Sequence, residues 1–150
     1  MTRTIAGVVL ALALGACGTD YTIAETNLAG TVGGQPWTFV AGHTNAFLSD
    51  GEDDFFAELY PAAFTPCGFS TPPGNHLIVA VPKAPGDYDF STRLNMTFVV
   101  GDSDNLVTFD GRIVVDEVTT DLVRGGLHGD FDGDNQVSGR FELTVCLPTP

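Results

Sequence analysis

Between residues 107 and 145 apolar and polar side chains alternate with a period of two, and this pattern limits the fold more than any other feature of the chain. Val107, Phe109, Gly111, Ile113 and Val115 alternate with Thr108, Asp110, Arg112 and Val114. Val123, Gly125, Leu127, Gly129 and Phe131 form a second run, and Val137, Gly139, Phe141, Leu143 and Val145 a third. Successive side chains of a strand point to opposite faces, so each run reads as a strand with one face toward a core and the other toward water. Asp132, Gly133, Asp134 and Asn135 lie between the second and third runs. These residue types tolerate the positive φ values of a tight hairpin. The three runs together predict an antiparallel meander.

Upstream, the runs 28–32, 36–41, 55–60, 77–81, 87–91 and 94–100 are short, bounded by Gly, Pro, Asn or Asp, and lack helical periodicity. Gly33 and Gly34 form a turn between the first two. About nine short strands with regular turn signals predict an all-β domain, an antiparallel β-sandwich with a small calycin-like β-barrel as the runner-up. The Pro- and Gly-rich stretch 61–75 reads as one long ordered loop containing Cys67. A hydrophobic content of 43% with 11 Phe is too high for a disordered acidic chain. Residues 28–150 are expected to form a single domain.

The N-terminus has a different pattern. One basic residue, Arg3, precedes an apolar run from Ile5 to Leu14, shorter than the ~20 residues that a membrane span needs and typical of a secretory signal peptide. Leu14, Gly15, Ala16 and Cys17 resemble the lipobox of bacterial lipoproteins. That resemblance implies a signal peptide over 1–16, cleavage before Cys17, diacylglyceryl attachment to its sulfur, and acylation of the new amino terminus, with palmitate-type chains. Each buried methylene then adds about 0.8 kcal/mol of membrane affinity. Residues 17–27 would be the lipidated cysteine and a flexible tether. Gly18 in place of Asp implies sorting to the outer membrane of a cell that has one, so the expected location is the cell envelope.

Farther along, residues 30–35 before Pro36 and Trp37, then Gly86, Asp87 and Tyr88, and finally Gly126 with Val137, Ser138, Gly139, Arg140 and Phe141, look like small bacterial lipoprotein domains of unknown function. This likeness implies a β-sandwich without an assigned enzyme activity, and it supplies no catalytic residues.

With Cys17 given to lipid, Cys67 and Cys146 are left as a pair in an oxidising compartment, and they read as one disulfide. Closing so long a loop is worth about 4.5 kcal/mol on the chain-entropy model. There is no CxxC pair, and neither cysteine has a histidine near it in sequence, which weighs against a metal or redox role. Cys146 also falls out of phase with the apolar face of its run, so the bridge is expected at an edge or beyond a twist.

The 6 Lys+Arg against 19 Asp+Glu, a formal net charge of -13 with no basic cluster, excludes nucleic acid and anionic surfaces held by electrostatics. Asp130, Asp132 and Asp134 alternate as the first ligands of an EF-hand loop do, which makes calcium a candidate cofactor. Asn135 and Phe141, however, stand where that loop carries Gly and its bidentate Glu. The competing reading is a solvated hairpin tip, and the clusters 50–54 and 102–105 carry the same two readings. No serine has a GxSxG setting, and His43, His76 and His128 stand singly. Trp37, Phe39, Phe47, Phe55, Phe56, Tyr60 and Phe64 read as core or, alternatively, as the lining of a site for an apolar ligand. Phe55 and Phe56 must face opposite ways on a strand. The expectation is a lipid-anchored envelope protein with a non-enzymatic binding or structural role toward an envelope protein partner. The alternatives are a carrier of a small apolar ligand in a barrel and a calcium-stabilised interaction module.

Overall fold

A computed structural model describes residues 21–49, 52–101 and 103–148. The signal-peptide segment and Cys17 lie outside the described residues. Eleven strands follow in order: β1 Ala29–Val32, β2 Gln35–Thr38, β3 Ala41–Thr44, β4 Asp54–Tyr60, β5 His76–Pro82, β6 Gly86–Asp89, β7 Met96–Val100, β8 Asp104–Thr108, β9 Asp110–Val118, β10 Leu122–Asp132 and β11 Asn135–Thr144. No helix occurs among the described residues. The all-β expectation holds.

The strands form one hydrogen-bonded sheet in the order β6-β9-β10-β11-β3-β4-β5-β7-β8, with β1 pairing both β2 and β11. Two stacked sheets were the first expectation; the sheet instead curls into a half-barrel, which the barrel-like alternative fits. β8 ends one margin of the sheet and β9 lies beside the other margin, yet only Phe109 separates them in the chain. The Thr108 Oγ1 atom fixes this crossing, accepting the Asp110 N–H at 2.9 Å and donating to the Asp130 carbonyl of β10.

The meander is present as predicted: β9 pairs β10 and β10 pairs β11, both antiparallel. Two strands arose by division of predicted runs. The run 36–41 divides into β2 and β3, and the run 107–115 divides at Phe109 into β8 and β9. In the second case alternation continued through a residue that marks a bend, because period two reports which side a residue faces and not where the ladder changes partner.

Phe98, Leu28, Leu59, Leu77, Met96, Ile113, Leu127 and Leu143 are fully buried inside the curl, each contributing about 1.5–3 kcal/mol of burial. Gly42 permits the close approach of β3 to this core: a Cβ there would stand 2.5 Å from Leu143 Cδ2 and 2.8 Å from the Glu58 carbonyl oxygen. Of the aromatic set, Trp37, Phe39 and Phe55 are core, Tyr60 is buried on the outer face, Phe56 and Phe64 are half-buried, and Phe47 is exposed.

One end of the curl gathers the tight turns. Gly33 and Gly34 adopt φ of 60° and 70°, as their predicted turn requires. The Gly33 N–H donates to Asn135 Oδ1 at 2.8 Å, and the Gly34 N–H to the Asp134 carbonyl at 2.9 Å. Asn75 links three more segments: its Nδ2 donates to the Val32 carbonyl at 2.7 Å, its Oδ1 accepts the Gly101 N–H at 2.8 Å, and its carbonyl accepts Trp37 Nε1 at 3.2 Å.

Residues 21–27, expected to belong to a tether, lie against the outer face of β10 and β11. Tyr21 stacks on His128 with ring centroids 5.2 Å apart, the Ala24 N–H donates to Ser138 Oγ at 3.0 Å, and Asn27 bridges to Arg140 and donates from Nδ2 to the Phe39 carbonyl at 2.7 Å. The segment carries little apolar periodicity, so its docking by hydrogen bonds and one ring stack left no mark in the hydrophobic pattern.

Candidate functional site

The end of the curl opposite the turns is built around β3. His43 and Thr44 are adjacent and both buried, which a strand allows only when both of its faces are covered. Thr44 faces the core side, and its Oγ1 accepts the Cys146 N–H at 2.9 Å. His43 faces the other way, under the loop 61–75, where its ring meets Phe64 edge-on at 5.0 Å. Phe64 packs on Tyr60 at 5.1 Å and Tyr60 stacks on His76 at 4.8 Å. A row of four rings thus holds the loop onto the outer face of the sheet.

That loop delivers Cys67 to His43. The Cys67 N–H donates to His43 Nδ1 at 2.9 Å, so the imidazole proton resides on Nε2. His43 Nε2 lies 3.4 Å from Glu58 Oε2 but off the line of a hydrogen bond, while Glu58 Oε1 accepts the Tyr60 hydroxyl at 3.3 Å. Burial, followed by the adjacent Glu58 carboxylate, pushes the Tyr60 phenol above its ordinary pKa of 10.0. Cys67 is the one non-glycine among the described residues with positive φ, at 62°.

Cys67 and Cys146 form the predicted disulfide, with Cα atoms 5.4 Å apart and 79 positions between them in sequence. The phase problem at Cys146 has a simple resolution. β11 ends at Thr144, and both Val145 and Cys146 are buried beyond it, so alternation no longer applies where Cys146 sits.

Beside the bridge opens a cleft of about 490 Å³ lined by His43 to Phe47, Cys67 to Phe69 and Cys146 to Pro148. Phe47, Phe69 and Leu147 on its walls, and Leu48 next to it, are exposed. Large apolar side chains gathered at one place on a surface mark an interaction site more often than scattered ones do. Loop residues without periodicity carry most of this surface, so the sequence pattern did not reveal it.

The other predicted sites lie apart from this one. Asp132 Oδ1 accepts the Asp134 N–H at 3.0 Å and Asn135 Nδ2 at 2.8 Å, which makes it the closure of its own turn. Among the described residues, the His, Cys, Asp or Glu group whose ligand atoms converge is His43, Cys67 and Cys146, within 4.8 Å of one another; Asp130, Asp132 and Asp134 do not join such a group. Asp50 and Asp102 lie outside the described residues. His76 and His128 are engaged in ring stacks on separate parts of the sheet, so the three histidines do not meet. The sequence argument against a metal at the cysteines relied on nearness along the chain. In the fold His43 reaches Cys67 across 24 positions, while Cys67 and Cys146 are joined to each other.

Among the described residues, the cations are engaged with protein oxygens. Arg93 pairs with Asp53 and Asp54, Arg112 with Asp87, Arg124 with Glu117 and Glu142, and Arg140 with Asp116. Lys83 Nζ donates to the Ser49 and Glu52 carbonyls. The Arg112 guanidinium lowers the Asp87 pKa, and Glu142 raises that of Arg124. What remains on the described surface is excess carboxylate. No family model, curated protein or solved structure matches this chain.

Proposed function

We propose that the protein is a lipid-anchored extracytoplasmic lipoprotein of the cell envelope, sorted to the outer membrane where one exists, with a non-enzymatic binding role exercised through the cleft beside the disulfide. The observation that carries this reading is the lipobox-like Leu14-Gly15-Ala16-Cys17 placed just ahead of the docked segment that starts at Tyr21. Four residues reach at most about 14 Å, so a lipid on Cys17 would hold the domain close to the bilayer. Tyr21 stacks on His128, which pairs with Ser138 near the start of β11, whereas Cys146 follows the far end of that strand. About 25 Å of strand separates the two levels. The cleft would then face away from the membrane, toward an envelope partner.

A carrier role inside the barrel is less favoured, because Phe98, Met96 and their neighbours fill the interior. A hydrolytic role finds no free base at His43, whose Nδ1 accepts a backbone N–H and whose Nε2 faces Glu58. Replacement of Cys17 by Ala should move the protein from the membrane to the soluble fraction and abolish incorporation of labelled palmitate. Retention of C17A in membranes would overturn the anchoring.

A further inference from the structure

We propose that His43, Cys67 and Cys146 form a redox-gated zinc site, closed in the disulfide form and opened by reduction. The inference rests on side-chain geometry at the cleft and not on the lipid anchor, so either reading can fail without the other.

Three donors of the types zinc selects, two sulfurs and an imidazole nitrogen, already lie within 4.8 Å of one another. A tetrahedral site with Zn–S near 2.3 Å and Zn–N near 2.0 Å places its ligand atoms roughly 3.5–3.8 Å apart, so modest separation of the sulfurs completes the set. Cys67 can supply that movement because it sits on an exposed loop, while Cys146 and His43 are held in buried backbone. His43 is oriented for ligation. Its Nδ1 lone pair points to the cysteine side, where it now accepts the Cys67 N–H, and Glu58 Oε2 stands 3.4 Å from its Nε2, close enough for a small rotation to align the two. A carboxylate behind the non-ligating nitrogen is the arrangement that fixes the tautomer and raises the basicity of zinc-binding histidines. It also supplies a reason for the buried Nε2 that lacks a hydrogen bond in the disulfide form.

The chemistry balances without any group from the protein beyond these three. An external dithiol gives two electrons and two protons to the Cys67–Cys146 bond and becomes a disulfide itself. The S–S bond breaks into two thiols, and Zn²⁺ displaces both thiol protons as it binds the thiolates and His43 Nδ1. Water takes the fourth position from the cleft side.

The test uses the full chain carrying Cys17→Ser, so that Cys67 and Cys146 are the two cysteines present. The chain is reduced with a phosphine, freed of reductant under argon and titrated with Co²⁺ and then Zn²⁺. The reduced chain should take up one equivalent of Co²⁺, with the thiolate charge-transfer and tetrahedral d–d bands, and release it to Zn²⁺; the oxidised chain should bind neither. His43→Gln should weaken the reduced site by at least tenfold, and Glu58→Gln by about 10–100-fold, without altering the oxidised fold by near-ultraviolet circular dichroism. Absence of stoichiometric metal uptake by the reduced chain, or equal uptake by His43→Gln, would overturn the proposal. If reduction loosens the fold, one equivalent of Zn²⁺ should restore the near-ultraviolet spectrum, and failure to restore it counts equally against the site.

Discussion

The two ends of the curled sheet are held together by different chemistry. At the turn end, Asn75 and Asn135 each join segments distant in sequence through amide hydrogen bonds of 2.7–2.8 Å, and the carboxylates around them face water. At the other end one covalent bond ties the loop 61–75 to the C-terminal segment, and Phe47, Leu48, Phe69 and Leu147 stay exposed beside it. Amide links satisfy the backbone groups they touch, and next to them Phe131 is the large apolar side chain left exposed at that hairpin. A disulfide fastens backbone without covering apolar area, so the end it holds can keep a surface for a partner.

The comparison can be broken most directly at the disulfide. Replacing both Cys67 and Cys146 by Ser should lower unfolding free energy by about 4 kcal/mol, measured by urea denaturation; a loss below about 1 kcal/mol would mean that the ring row of His43, Phe64, Tyr60 and His76 holds the loop unaided. At the opposite end, Asn75→Ala leaves the Val32 carbonyl and the Gly101 N–H without their partners and should cost about 2 kcal/mol. An unchanged denaturation midpoint would show that water replaces the amide there. Phe69→Ser should change stability by no more than about 0.5 kcal/mol while reducing retention on a hydrophobic column; a large loss of stability would make Phe69 a packing residue and remove it from the cleft's contact surface.

The smallest effect concerns pH. Because burial raises the Tyr60 pKa above 10.0 in the folded state, the folded form favours the protonated phenol. That contribution is complete below pH 10 and disappears as pH rises through the raised value. Tyr60→Phe should therefore flatten the alkaline arm of the stability profile, and an unaltered arm would assign the alkaline loss to other groups.

Much of the fold was legible in sequence because period two is a direct image of a half-buried strand. The meander 107–145, the Gly33–Gly34 turn and the pairing of Cys67 with Cys146 follow from local pattern or from parity of cysteines. What pattern could not supply were events where a strand meets something other than its neighbour. The bend at Phe109 depends on the Thr108 hydroxyl reaching the Asp130 carbonyl. The docking of residues 21–27 depends on one ring stack and a few polar contacts. The disulfide end was the least legible part, since His43, Cys67 and Cys146 meet only after β3 has paired with the end of β11 through Thr144 and His43. Asp132 illustrates the reverse case, a residue whose spacing resembled a ligand set and whose carboxylate is used to close its own turn.

The place of β11 in the sheet has a consequence for the order of events during synthesis. It is the last of the described strands, yet it pairs with β10 on one side and with β1 and β3 on the other. β1 therefore cannot pair with β11 until the nine strands between them have been made. Such non-local pairing belongs to proteins that fold in milliseconds to seconds rather than microseconds. A sheet with this arrangement closes only once residues 135–144 are available to pair with both β10 and β1.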